Sequence, residues 1–242
     1  MNIIRPSHVR ILRFLETLDS GILLKMDCYF GGGTAISMLN DEYRLSFDVD
    51  FMCASNEGYA KLRELVFDEG LTPLFKEGMA PKVLRELRAD QYGVRTILDL
   101  KGMPLKFEIV REARIDLTAT QDLLPIATLD EISLFSEKLL ANTDRGLDQS
   151  GLSKDMLDLI VMQHRWGNIP ANAMRKAVKA YGTSVGRAYE KSFELLSRNH
   201  DYLNKCLHEL DIKAEYRVII TDYLENHKNA HAVNLVCINP QP

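Results

Sequence analysis

The spacing of apolar residues changes once along this chain, near Thr128, and that change restricts the fold more than any other feature. Before it, segments that repeat every second residue are interspersed with segments that repeat every three or four. After it, only the helical period persists. Pro6 followed by Val9, Ile11, Leu12 and Leu15 predicts an amphipathic helix ending near Asp19. The short apolar run 28–30 enters Gly31, Gly32 and Gly33, and helical spacing resumes from Thr34 to Asn40. Phe47, Val49 and Phe51 alternate with Ser46, Asp48, Asp50 and Met52, the signature of a strand. Residues 59–67 return to helix, and 94–100 with 105–110 form a hairpin around the turn 101–104. Beyond the change, Thr128 and Glu131 have the spacing of a capping box, and helices fit 153–165, 171–181, 185–197, 202–210 and 214–226. The expected class is α+β: a mixed β-sheet with flanking helices over residues 1–127, followed by a C-terminal helical bundle over 128–242.

Composition narrows the setting. Of 242 residues, 46% are hydrophobic and 26% charged, a balance suited to burying an ordinary core. No run of 18 apolar residues exists and the start MNIIRPSHVR lacks a signal-peptide layout, so no membrane partner is expected. Cys28, Cys53, Cys206 and Cys237 are scattered without a CxxC pair and read as reduced thiols of a cytoplasmic protein. The net charge of −4 excludes a protein coated in DNA-binding surface, yet residues 163–198 carry +5 locally. That basic stretch is either a solvated helical face or an RNA contact. Trp166 and Tyr181 offer stacking surfaces or core packing.

The chemistry concentrates on acids set among apolar residues. Asp48 and Asp50 are two apart on the expected strand, so both project from one face while Phe47, Val49 and Phe51 are expected to anchor the other. Two adjacent like charges are costly unless a cation neutralises them, and oxygen ligands of this kind suit Mg²⁺ together with substrate phosphates. The bland alternative is a solvent-facing strand with two harmless acids. Upstream, Gly31 to Thr34 sit at a strand-to-helix junction, where glycines let backbone amides approach a phosphate. Neither GxGxxG nor a GK[ST] motif is complete there. A third acid is needed for a two-metal site, and Glu108, beside Lys106 on the polar phase of its strand, competes for that place with Asp99 on the other hairpin arm. Gly182 to Gly186 matches the GxSxG hydrolase elbow, but a helix precedes it where a strand is required. A helix stop at Gly182, with Ser184 capping the next helix, explains the motif more simply.

The strings GGTAISMLNDEYRLSFDVDF, KFEIVRE, EKLLANTDRG and SKDMLDL together resemble the AbiEii/AbiGii toxin-like nucleotidyltransferases of the polymerase-β-like superfamily, over residues 30–159. The resemblance implies a nucleotidyltransferase-like sheet followed by helices. It implies that Gly32, Gly33 and Thr34 hold the triphosphate, with Thr34 in place of the superfamily's usual Ser. It further implies that Asp48, Asp50 and Glu108 bind magnesium, that Lys138 contacts nucleotide phosphate, and that Lys154, Asp155 and Asp158 form a second cluster facing the substrate. Without it, Lys138 reads as a solvated helix lysine. The implied function is Mg²⁺-dependent transfer of a nucleotide from an NTP to an acceptor hydroxyl, with RNA and specifically tRNA as the acceptor, by a toxin paired with an antitoxin protein. The alternative is a nucleotide-binding regulator or interaction module that keeps the pocket and transfers nothing.

Overall fold

A computed structural model describes residues 3–227, and Cys237 lies outside them. The chain divides between Leu134 and Phe135 into two compact units. The first is built on a mixed sheet of seven strands among the described residues, in the order β3-β4-β5-β2-β1-β7-β6. Its longer strands are β1 (Cys28–Gly31), β2 (Val49–Cys53), β4 (Gly93–Asp99) and β5 (Pro104–Arg111). Three two-residue strands, β3 (Arg88–Ala89), β6 (Ala119–Thr120) and β7 (Thr128–Leu129), sit at its margins. β4 and β5 form the expected hairpin, whereas β2 and β5 run parallel. Helices α1 (Pro6–Thr17), α2 (Ser20–Lys25), α3 (Gly32–Leu39) and α4 (Asn56–Glu69) complete the unit.

Strand alternation separates core from site. Phe51 of β2 and Phe107 of β5 are fully buried, with ring centroids 6.0 Å apart, and Phe14 of α1 and Phe30 of β1 extend the aromatic stack. The residues between them in sequence therefore face the opposite side of the sheet. Phe47 departs from this pattern: it is 51% exposed, because β2 begins only at Val49 and no ladder holds Phe47 against the core. Cys28 and Cys53 face each other across β1 and β2 as buried free thiols.

The second unit is helical. It contains α5 (Glu131–Arg145), whose first turn groups with the sheet, then α6 (Lys154–Trp166), α7 (Ala171–Tyr181), α8 (Ser184–Arg198), α9 (His200–Glu209) and α10 (Ala214–His227). α6 is buried continuously from Asp155 to Met162, as befits a central helix, and α8 and α10 pack on it. Two expected caps take other roles. Thr128 belongs to β7, and it is Asp130 Oδ1 that accepts from the Ser133 amide, 2.8 Å away, to start α5. Ser184 donates back to the Tyr181 carbonyl at 2.5 Å instead of capping α8, while Gly182, at φ +63°, ends α7. The segment before Ser184 is helix, so no nucleophile elbow forms.

Candidate active site

One row of residues crosses the sheet. Register pairs Arg95 with Glu108, Glu108 with Asp50, and Asp50 with Gly31, so four neighbouring strands contribute to a single line. Asp50 and Glu108, which are 58 positions apart in sequence, thus become direct neighbours on the polar face. Asp99 pairs with Pro104 at the far end of β4, and its Oδ1 accepts from the Gly102 amide at 2.6 Å to close the hairpin turn. The acid beside Asp50 is therefore Glu108.

Cations cover these acids. Arg95 Nε donates to Glu108 Oε1 at 2.6 Å, Lys106 Nζ lies 2.7 Å from Glu108 Oε2, and the same nitrogen is 4.0 Å from Asp50 Oδ1. Partial burial opposes ionisation of Glu108, but the bonds from Lys106 and Arg95 outweigh it and hold its carboxyl below the ordinary value. Burial likewise opposes the charge on Lys106, yet Glu108, Asp50 and Asp48 together raise its pKa. Glu108 is consequently a poor proton acceptor at neutral pH and serves better as a fixed negative charge. Asp48 immediately precedes β2, two residues from Asp50.

The glycine turn is fitted to this row. Gly32 opens α3 at φ +70°, and a Cβ built on it would lie 2.7 Å from Asp50 Oδ2. Both the backbone conformation and the space demand glycine. A Cβ at Gly33 would meet the Arg44 guanidinium at 2.3 Å. Arg44 is buried, with Nε donating to the Tyr43 hydroxyl at 3.0 Å and Nη1 to the Leu45 carbonyl at 3.0 Å. Thr34 is fully buried, and its hydroxyl lies 2.6 Å from the Asp48 carbonyl and 2.8 Å from Ser46 Oγ. It holds the entry to β2 and so positions Asp48. The loop that delivers Asp48 is also tied to the chain's start, since the buried Glu42 carboxylate accepts from the amides of Ile4 at 2.7 Å and Arg5 at 3.0 Å.

Asp155 and Asp158 of the second expected group meet Lys138 in an enclosed cluster. Lys138, 5% exposed, places Nζ 2.8 Å from Asp155 Oδ1 and 2.6 Å from Asp158 Oδ2. Arg145 adds bonds to both Asp155 oxygens, at 2.7 and 3.1 Å. Burial raises the cost of ionising Asp155, but Lys138 and Arg145 overcome it and drive its carboxyl far below the usual range. Lys138 is thus an interior ion-pair lysine and not the solvated residue its sequence surroundings suggest, and Asp155 and Asp158 are buried instead of open to a ligand. Lys154, half-buried, begins α6 beside them.

Sequence reasoning missed Arg95, Arg44 and Glu42. Arg95 was visible as the polar member of an alternating strand. Arg44 and Glu42 lie in a loop and leave no periodic trace.

The family model described as nucleotidyl transferase AbiEii toxin, type IV toxin–antitoxin system, matches residues 13–234. The chain belongs to this family. It is therefore a nucleotidyltransferase of the AbiEii toxin class, and the mixed sheet with its following helices is that fold. Two solved structures from Helicobacter pylori are similar. JHP933 is 15% identical, covering 84% of this chain and 99% of its own, with a TM-score of 0.36. A candidate nucleotidyltransferase is 13% identical, covering 78% and 96%, with a TM-score of 0.32. No curated protein gives a significant match. Among the described residues, no helix is long and apolar enough to cross a membrane.

The AbiEii fold implies a divalent metal, and the donor set can be tested for fit. Asp48, Asp50 and Glu108 supply only oxygen, suited to a hard cation, and the missing Cβ of Gly32 leaves space beside Asp50 Oδ2. Among the described residues, no three metal-type side chains already form a cage, and Lys106 lies between the acids instead. The chemistry fits Mg²⁺, with Lys106 as the group that must yield or share.

Proposed function

We propose that this AbiEii protein transfers a nucleotidyl group from a nucleoside triphosphate to a hydroxyl of an RNA acceptor, tRNA being the first to test. It does so in the cytoplasm, as a toxin restrained by a cognate antitoxin protein. The observation that carries this reading is the shared rung of Asp50 and Glu108 beside a glycine whose missing Cβ keeps Asp50 accessible. In the transfer, the acceptor hydroxyl oxygen bonds to the α-phosphorus as its proton passes to solvent water, the bond from the α-phosphorus to the oxygen bridging it to the β-phosphate breaks, and pyrophosphate leaves. The amides at the start of α3 and the turn at Gly32 and Gly33 bind the triphosphate as preorganised donors. Thr34 contributes by fixing Asp48. Asp48, Asp50 and Glu108 would hold Mg²⁺, which when bound neutralises phosphate charge and lowers the pKa of the attacking hydroxyl. Lys106 and Arg95 keep Glu108 ionised and in place. Lys138, Asp155 and Asp158 act as the ionic pin between α5 and α6, with Lys154 on its more open flank.

Incubation with each labelled NTP and a cellular RNA pool tests this. Label entering RNA only with Mg²⁺, and lost in Asp48→Ala, supports the transferase. The non-catalytic regulator draws on one observation, the engagement of both Glu108 oxygens by Arg95 and Lys106. It predicts nucleotide binding with no covalent product in any RNA.

A further inference from the structure

The helical unit has a trough that the transfer chemistry above does not use. The end of α5 and its following loop face α8 across a cavity of about 430 Å³. A second cavity of about 430 Å³ continues it along α8, with Leu147 and Lys191 common to both. Arg187 and Lys191, one helical turn apart, line the first, and Arg198 lies roughly 16 Å beyond Arg187 along the helix. Arg187 and Lys191 are exposed and have no hydrogen bond or ion pair from their side chains among the described residues.

Polar groups at the first cavity are also unsatisfied. Asn142, in the wall, is 1% exposed, and neither atom of its amide has a hydrogen-bond partner among the described residues. Ser192 Oγ, fully buried, is likewise without a partner, and a Cβ on wall residue Gly146 would meet it at 2.3 Å. The wall's acids are engaged. Asp144 accepts from the Tyr181 hydroxyl at 3.1 Å, Asp148 from the Ser150 amide at 2.9 Å, and Glu194 pairs with Arg198 at 3.1 Å.

Two unpaired cations one helical turn apart, Arg187 and Lys191, with Arg198 farther along the same helix, suit successive phosphates of a chain better than one anion. The walls carry no aromatic anchor of the kind that protein partners favour; their floor includes Leu147, and the cations Arg187 and Lys191 flank it, an arrangement in which aliphatic contacts lie beneath a positively charged rim of the kind nucleic-acid surfaces present. We infer that the trough between the end of α5 and α8, centred on Arg187, Lys191 and Asn142, binds the phosphate backbone of the RNA acceptor. The inference rests on the RNA-acceptor reading above and gives it a place.

Anisotropy of a fluorescein-labelled 20-nucleotide single-stranded RNA, measured without NTP over a salt series, tests this. Arg187→Gln/Lys191→Gln should weaken binding about tenfold or more and reduce the salt slope by about 1.4, from about 0.7 per lost phosphate contact. Ala188→Trp, which fills the trough without removing charge, should also weaken it, and Lys205→Gln on α9 should not. Wild-type protein that ignores the RNA overturns the acceptor reading and this site together. Wild-type protein that binds, with a double variant that binds equally well, overturns the site alone. Polyglutamate binding at the trough in place of RNA would show an acidic polypeptide as its ligand and also overturn the inference.

Discussion

Each unit sets two carboxylates against a lysine and an arginine, in contrasting circumstances. On the sheet, Asp50 and Glu108 meet Lys106 and Arg95, with side chains 21%, 15%, 50% and 35% exposed. In the helices, Asp155 and Asp158 meet Lys138 and Arg145, and the two acids and the lysine are at most 6% exposed. A half-open pair of acids can exchange its cations for a ligand at modest cost, because water screens the alternatives. An enclosed pair cannot, since losing one partner strands a charge in a low-dielectric interior. Burial therefore separates the proposed site from a structural pin.

The largest difference should appear on removing the central lysine of the pin. Lys138→Met removes the cation between two buried carboxylates, leaving Arg145 on Asp155, and should destabilise the fold by about 3–5 kcal/mol, read by urea denaturation. If it costs under about 1 kcal/mol, the cluster is not the pin described. Next in size is Asp50→Asn, expected to lower transfer about 10²–10³-fold, an effect of roughly 3–4 kcal/mol on the barrier, while the melting curve barely moves. Equal losses of activity and stability there would erase the distinction between the units. Gly32→Ala combines a strained backbone with a clash on Asp50, and should cost about 1–3 kcal/mol of stability as well as most of the activity.

Acid titration sharpens the contrast. The folded pKa of Asp155 is depressed, so its contribution is fully present above the unfolded aspartate value near 3.9 and fades as pH falls below that toward the folded value. Denaturation midpoints of wild type should therefore drop progressively as pH falls below about 4, and those of Asp155→Asn should drop less. Parallel curves for the two proteins would mean Asp155 is not held ionised. The smallest effect is expected for Lys106→Met, whose half-exposed ion pairs should contribute under about 1 kcal/mol to stability, while Mg²⁺ affinity measured by calorimetry rises. Weaker Mg²⁺ binding in that variant would place Lys106 among the groups that support the metal and not among its competitors.

Much of this was legible before any coordinates. Alternation around Asp48 and Asp50 predicted the strand β2, and the polar phase of residues 105–110 proposed Glu108. Which acid joined Asp50 was not legible, because strand pairing is a long-range property and both Glu108 and Asp99 occupied suitable phases. Exposure of Phe47 was missed because alternation in sequence says nothing about where a ladder starts. The two-residue strands are too short to show a period, and α2 has only six residues. Lys138 misled for a related reason: a helix position looks solvated or buried only once its neighbour across the bundle is known, and here that neighbour is the acidic start of α6.

The parallel pairing of β2 with β5 has one further result. Because neighbouring backbones, and not a turn, bring the two acids abreast, the exposed stretch 76–80 within the excursion from β2 to β5 is free to lengthen, shorten or acquire ornaments without moving them. A single residue inserted inside either strand would instead rotate an acid into the aromatic stack and expel a phenylalanine, so relatives of this protein should vary in the excursion and keep strict spacing within those two short segments.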